Sequence, residues 1–164
     1  MIRRRKPPPP PISRVAGGYA INLDPGERDL LIRLLSELAQ LLTTGTDGPA
    51  LRRMFPPAYH LEDDAEAEAE YQRLMRDELV ASRLDATTTL TAALRDDAAL
   101  DESGLEAFMQ AVNALRLVLG TLLDVDEEHD VDDIADDDPL VGEHHLYGYL
   151  SYLLDAAVRA FSGD

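Results

Sequence analysis

Apolar positions along the chain first alternate and then recur at helical spacing. Ile12 and Val15, a break at Gly17-Gly18, and Tyr19, Ile21 and Leu23 predict a short β-hairpin closed by a two-residue glycine turn. Asp24-Pro25-Gly26-Glu27 then marks a helix start, with Asp24 as N-cap, Pro25 at the first helical position and Glu27 completing a capping box. This helix is predicted to run to about Thr43. Leu30, Leu31, Leu34, Leu35, Leu38, Leu41 and Leu42, with Ile32, cover more of its circumference than one amphipathic stripe requires, which predicts a central helix.

Pro49 predicts a single helical turn through Arg52, Arg53 and Met54, ended by Pro56-Pro57. Asp63 or Asp64 is expected to cap a surface helix whose inner face carries Ala67, Tyr71, Leu74, Met75 and Leu79. Residues 83–95 read as a separate helix, weakened by Thr87, Thr88, Thr89 and Thr91. Asp101 caps a long helix to about Leu123, with Leu105, Phe108, Val112, Leu115 and Leu119 on one face and Leu117 and Val118 widening it. Pro139 begins the last helix, with Leu146, Leu150, Leu153, Leu154, Ala157, Val158 and Phe161 as its core stripe. The predicted fold is mainly α: a single-domain helical bundle or orthogonal array of about five helices with a short N-terminal β-hairpin. Residues 1–11 are expected to be a disordered basic arm and residues 12–162 one domain, carrying an acidic loop at 124–138.

Composition narrows the chemistry. The chain has 164 residues, enough for one core, and a net charge of −17. It has no cysteine, which excludes disulfides, thiolate catalysis and thiol redox sensing. Arg3, Arg4, Arg5 and Lys6 lead into five prolines where a signal peptide needs an apolar stretch, and no apolar run reaches the ~20 residues of a membrane span. A cytoplasmic protein with no membrane contact is expected. The acidic surface repels nucleic acid, so DNA phosphate contact is expected at most through Arg3, Arg4, Arg5 and Lys6.

Each candidate for chemistry has a plainer alternative. Arg116 lies on the core face of its helix between Val112 and Leu119, so its guanidinium needs partners. A buried structural ion pair is the expected role; anchoring a ligand is the alternative. Glu143-His144-His145 resembles half a metal site, but adjacent helical histidines point about 100° apart and cannot act as an i, i+4 pair. Asp124, Asp126, Glu128, Asp130 and Asp132 have calcium-loop spacing, with His129 where glycine is needed and Ala135 where a bidentate glutamate is needed. The paired acids Asp63-Asp64 and Asp96-Asp97 come with no nucleophile or phosphate loop, and a helix-turn-helix over 65–95 offers a groove only Arg83 and Arg95. No catalytic residue, metal or cofactor is assigned, and the chain is not expected to be an enzyme. The residues expected to meet a protein partner are Arg52, Arg53, Asp124, Asp126, Glu127, Glu128, Asp130, Asp132, Asp133 and Tyr152.

Several segments taken in order carry a resemblance: Leu23-Asp24-Pro25-Gly26-Glu27-Arg28, Pro49-Ala50-Leu51-Arg52-Arg53-Met54-Phe55-Pro56, Asn113 through Thr121, and the Tyr147–Phe161 helix. Across residues 12–162 the chain is similar to an actinobacterial family of domains of unknown function that includes the oxidative-stress transcriptional regulator AosR. The resemblance implies a non-enzymatic regulator that works with a sigma factor or RNA polymerase at stress promoters. It also implies, as the alternative, an accessory module partnering a Clp adaptor or chaperone in proteolysis. Redox switching in that regulator depends on a cysteine pair that this chain lacks, so the sensing mechanism does not carry over.

Overall fold

The computed structural model describes residues 5–44, 49–51, 53–54, 64–125 and 133–164. A two-stranded antiparallel hairpin, β1 (Ile12–Val15) and β2 (Gly18–Ile21), precedes four α-helices among the described residues: α1 (Pro25–Thr44), α2 (Ala65–Asp96), α3 (Glu102–Leu123) and α4 (Val141–Ser162). A 3-10 turn at Pro49–Leu51 lies between α1 and α2. The core is one cluster centred on Phe108, Leu31, Leu35, Leu90, Leu105 and Leu153, with α3 packed against α1, α2 and α4.

Four helices stand where about five were expected, because residues 83–95 continue α2 without a break. The hydroxyls of Thr87, Thr88 and Thr91 donate to the carbonyls of Arg83, Leu84 and Thr87 one turn back, so they are satisfied inside the helix instead of competing with it. Buried Ala86, Leu90, Ala93 and Leu94 anchor the segment, and tertiary packing overrides weak propensity. Asp64 precedes α2 without a side-chain cap bond. The last helix starts at Val141, two residues later than expected, behind a turn in which Asp138 Oδ1 accepts the Leu140 amide.

The expected starts of α1 and α3 are found as drawn. Glu27 N donates to Asp24 Oδ1 (2.8 Å) and Asp24 N to Glu27 Oε2 (2.9 Å), a reciprocal capping box. Asp101 Oδ1 accepts the Gly104 amide at 2.7 Å.

The hairpin turn is shifted by one residue from the glycine pair. Ala16 and Gly17 form it, with Gly17 at φ +80, and Gly18 opens β2. Gly18 is there for a close approach: a Cβ would lie 2.2 Å from the Leu100 carbonyl oxygen. Beside it, Tyr19 and Leu100 exchange two backbone bonds of 2.8 Å, which fasten β2 to the link between α2 and α3.

Arg28, on the first turns of α1, joins three elements. It donates from Nε to Leu23 O, from Nη1 to Leu94 O, and from Nη2 to Ile21 O and Asp97 Oδ1. One guanidinium therefore closes the end of β2 and caps the last turn of α2, where Asp97 turns left-handed at φ 49.

Candidate interaction surface

The apolar positions beyond what one stripe needs on α1 and α3 have a destination. On α1, Leu31, Leu35 and Leu42 are fully buried, while Leu34 and Leu41 are only half-buried. On α3, Val118 and Leu119 are half-buried and Leu122 is 64% exposed. With Leu38, Leu115, and Leu146 and Leu150 of α4, these side chains line an open groove of about 320 Å³. Glu37 contributes its one carboxylate. A concave lining of nine leucine and valine side chains takes apolar groups, with the Glu37 carboxylate as the one charged group beside them.

The helices that frame this groove are tied to each other elsewhere by a polar contact. Tyr149 on α4 donates its hydroxyl to Glu27 Oε1 at 3.0 Å, while the other Glu27 oxygen holds the capping box of α1. Burial pushes the Tyr149 hydroxyl well above the usual tyrosine range, and the Glu27 carboxylate pushes it further.

A second polar corner gathers the C-terminal end of α3, the 3-10 turn and α4. A Cβ on Gly120 would fall 3.0 Å from both Arg53 Nη1 and Tyr147 Cε2 and 3.1 Å from Val125 Cγ2, so glycine permits these groups to close on the helix. Arg53 Nη2 donates to the Val125 carbonyl. Arg53, expected at a partner surface, is half-buried and fastens the chain leaving α3.

Arg116 does not find the expected carboxylate among the described residues. Its Nη2 meets Asn113 Oδ1 at 3.3 Å, its guanidinium lies 5.9 Å from the Tyr147 ring centroid, and its buried Nε has no hydrogen-bond partner. The side chain is half-buried, and running toward the rim brings it over an aromatic face instead of an acid.

The other predicted contact residues are not brought together into one site. Asp124 is exposed and left-handed (φ 53) at the end of α3, Asp133 is exposed, and Tyr152 is 55% exposed on α4. Arg5 and Lys6 are exposed on the arm. Arg3, Arg4, Arg52, Asp126, Glu127, Glu128, Asp130 and Asp132 lie outside the described residues, as do Asp63, His60 and His129. His144 is buried and His145 exposed, so the pair does point apart. Among the described residues no group of three or more His, Cys, Asp or Glu can hold a metal ion, and no helix is long and apolar enough to cross a membrane.

The leucine groove was not named from the sequence, although its signal was there in the surplus leucines of α1 and in Val118. A family model for a domain of unknown function, DUF2017, matches residues 9–161. No curated protein and no solved structure matches the chain.

Proposed function

The chain belongs to the DUF2017 family, and from that premise and the leucine groove we propose that it is a non-enzymatic, cytoplasmic regulatory protein that works by binding another protein. The partner is a sigma factor or RNA polymerase at stress promoters, engaged through an amphipathic helix with basic flanks. The single observation that carries this reading is the open groove between α1, α3 and α4, nine apolar side chains beside one carboxylate on a protein of net charge −17. Apolar anchors of a partner helix fill such a groove, and acidic surroundings attract a basic flank and speed encounter. Exposed Arg5 and Lys6 are the described cations through which the arm would touch DNA phosphate. The resemblance drawn from the sequence segments supports the choice of a transcription partner. The signal is not a thiol, since the chain has no cysteine.

The test is affinity purification from the native host at low and moderate salt, with wild type beside Leu122→Glu. Leu122 is largely exposed, so this variant charges the groove lip without disturbing the core. Sigma factor or polymerase subunits recovered with wild type and lost with Leu122→Glu support the reading. Clp components recovered alone would replace it with the proteolytic adaptor role, and equal recovery by both proteins would remove the groove from it.

A further inference from the structure

The sequence puts Val158 and Phe161 in the core stripe of α4, but the fold leaves them 49% and 43% exposed. The buried side of that helix is Leu150, Leu153, Ala156, Ala157 and Ala160. Asp155 stands about 140° round the helix from Leu150, so its side faces away from the core and from the leucine groove. A ridge at spacings of four, three and four runs down the middle of this outer side: Ser151, Asp155, Val158 and Ser162. Tyr152 and Arg159 flank the ridge on one edge, and Leu154 and Phe161 on the other. Tyr152 is 55% exposed, so three of the seven large apolar side chains exposed among the described residues sit on the last three turns of α4.

The charge of this side sets it apart from the rest of the chain. Acids outnumber lysine and arginine 32 to 15 overall. From Leu146 to Ser162 there is one of each sign, Asp155 and Arg159. They pair at 2.8 Å one turn apart, and both side chains are more than half exposed. Just past the helix, Asp164 stands near Arg14, which bonds the Phe161 carbonyl. The outer side of α4 is therefore near-neutral on a protein of net charge −17. Two such chains repel each other at most approaches, and like charges brought into contact are costly. An approach through α4 avoids that cost, whereas a basic partner gains nothing from a neutral face.

We propose that this side of α4 pairs with the same side of α4 in a second copy of the chain, antiparallel about a twofold axis. A twofold contact has to be self-complementary. With the axis midway between residues 155 and 159, Asp155 of each copy stands opposite Arg159 of the other, and the four charges alternate in sign. Val158 lies beside the axis, and the short side chains of Ser151 and Ser162 let the helices come close. Tyr152 along one edge and Phe161 along the other exclude water from the charge pairs.

The pairing is weak. Tyr152 and Phe161, each about half exposed, leave roughly 100 Å² apiece to cover. One helix against one helix stays below the ~800 Å² per partner of a standard interface. Dissociation is therefore expected at about 10–100 µM. The leucine groove stays open in the dimer, because Leu146 and Leu150 bound it on the other side of α4. Its partner and this pairing are thus tested separately.

The experiment is sedimentation equilibrium of the full chain in ~0.15 M salt, where charges more than ~8 Å apart are largely screened. Wild type should pass from monomer to dimer between about 5 and 500 µM. Val158→Glu should raise the dissociation constant at least about tenfold, by placing two carboxylates at the axis. Asp155→Arg and Arg159→Asp should each do the same alone, because each sets like charges opposite one another. An equimolar mixture of those two variants should pair again, since the arginines of one copy then face the aspartates of the other; this recovery also shows that both variants are folded. A chain that stays monomeric over the whole range, a dimer that survives Val158→Glu, or a mixture that does not pair overturns the proposal. A dimer lost with Leu122→Glu and kept with Val158→Glu overturns it too, by assigning self-association to the leucine groove.

Discussion

Replacing Arg28 with alanine takes one guanidinium away from four acceptors: the carbonyls of Ile21, Leu23 and Leu94 and the carboxylate of Asp97. The Arg28 side chain is 14% exposed and that of Asp97 is 82% exposed, so the two halves of this network carry different weights. An exposed carboxylate in an ion pair contributes at most about 1 kcal/mol and commonly about half that. Bonds from a charged donor to three carbonyls around a mostly buried group contribute about 1 kcal/mol each after water's competition, or about 3 kcal/mol together. Arg28→Ala is therefore expected to cost about 3 kcal/mol and Asp97→Ala less than about 1 kcal/mol. Arg28→Lys should lie between them, because a single amine cannot reach three elements in a fork. Urea unfolding followed by circular dichroism measures all three as midpoint shifts at unchanged slope, and the alanine variant should melt about 6–12 °C lower. Equal losses from Arg28→Ala and Asp97→Ala would show that the ion pair, not the carbonyl network, is the source of stability. A loss below about 1 kcal/mol in Arg28→Ala would show that water replaces the guanidinium freely.

Gly18→Ala should destabilise more than Gly17→Ala: the first forces a Cβ to 2.2 Å from the Leu100 carbonyl and breaks the Tyr19–Leu100 bridge, while the second places alanine at positive φ in open space at about 1–2 kcal/mol. Paired urea titrations check the order, and a reversed order refutes the close-approach account. Asp101→Ala should cost about 1 kcal/mol by leaving the Gly104 amide uncapped; an unchanged midpoint would mean that solvent satisfies it. Above pH ~10 the unfolded chain releases tyrosine protons that Tyr149 retains when folded, so its contribution is whole below that pH and falls as pH rises further. Tyr149→Phe should accordingly flatten the alkaline loss of stability, and an identical alkaline slope in both proteins would show that Tyr149 does not shape it.

Where one residue decided a local structure, the sequence was readable. The capping box of Asp24 and Glu27 and the cap at Asp101 each need only neighbours within one turn, and both appear as expected. Long-range partners were not readable. Nothing near Gly18 announces Leu100, and nothing in the threonine run at 87–91 reveals the packing of Ala86, Leu90 and Leu94 that holds it helical. Nothing local to Arg28 points to its role, because its acceptors are three backbone carbonyls and a carboxylate spread over separate elements. For Arg116, a sequence does not say whether an acid, an amide or a ring will be within reach; Asn113 Oδ1 and the Tyr147 ring are what it meets. The surplus leucines of α1 signalled apolar surface beyond one stripe, but the groove itself depends on α3 and α4 standing beside them, which local sequence does not announce.

The contact between Glu27 and Tyr149 has a consequence for the order of events during synthesis. It spans 122 residues, and the bond from Arg14 to the Phe161 carbonyl spans 147. At ~5–20 residues per second, the roughly 120 residues after α1 take on the order of 6–24 s to emerge. For that interval the leucines of α1 have no α4 to cover them, although the helix already carries its own cap. The apolar face of α1 is therefore made well before α4, the helix that covers part of it, so its burial is among the later events of synthesis.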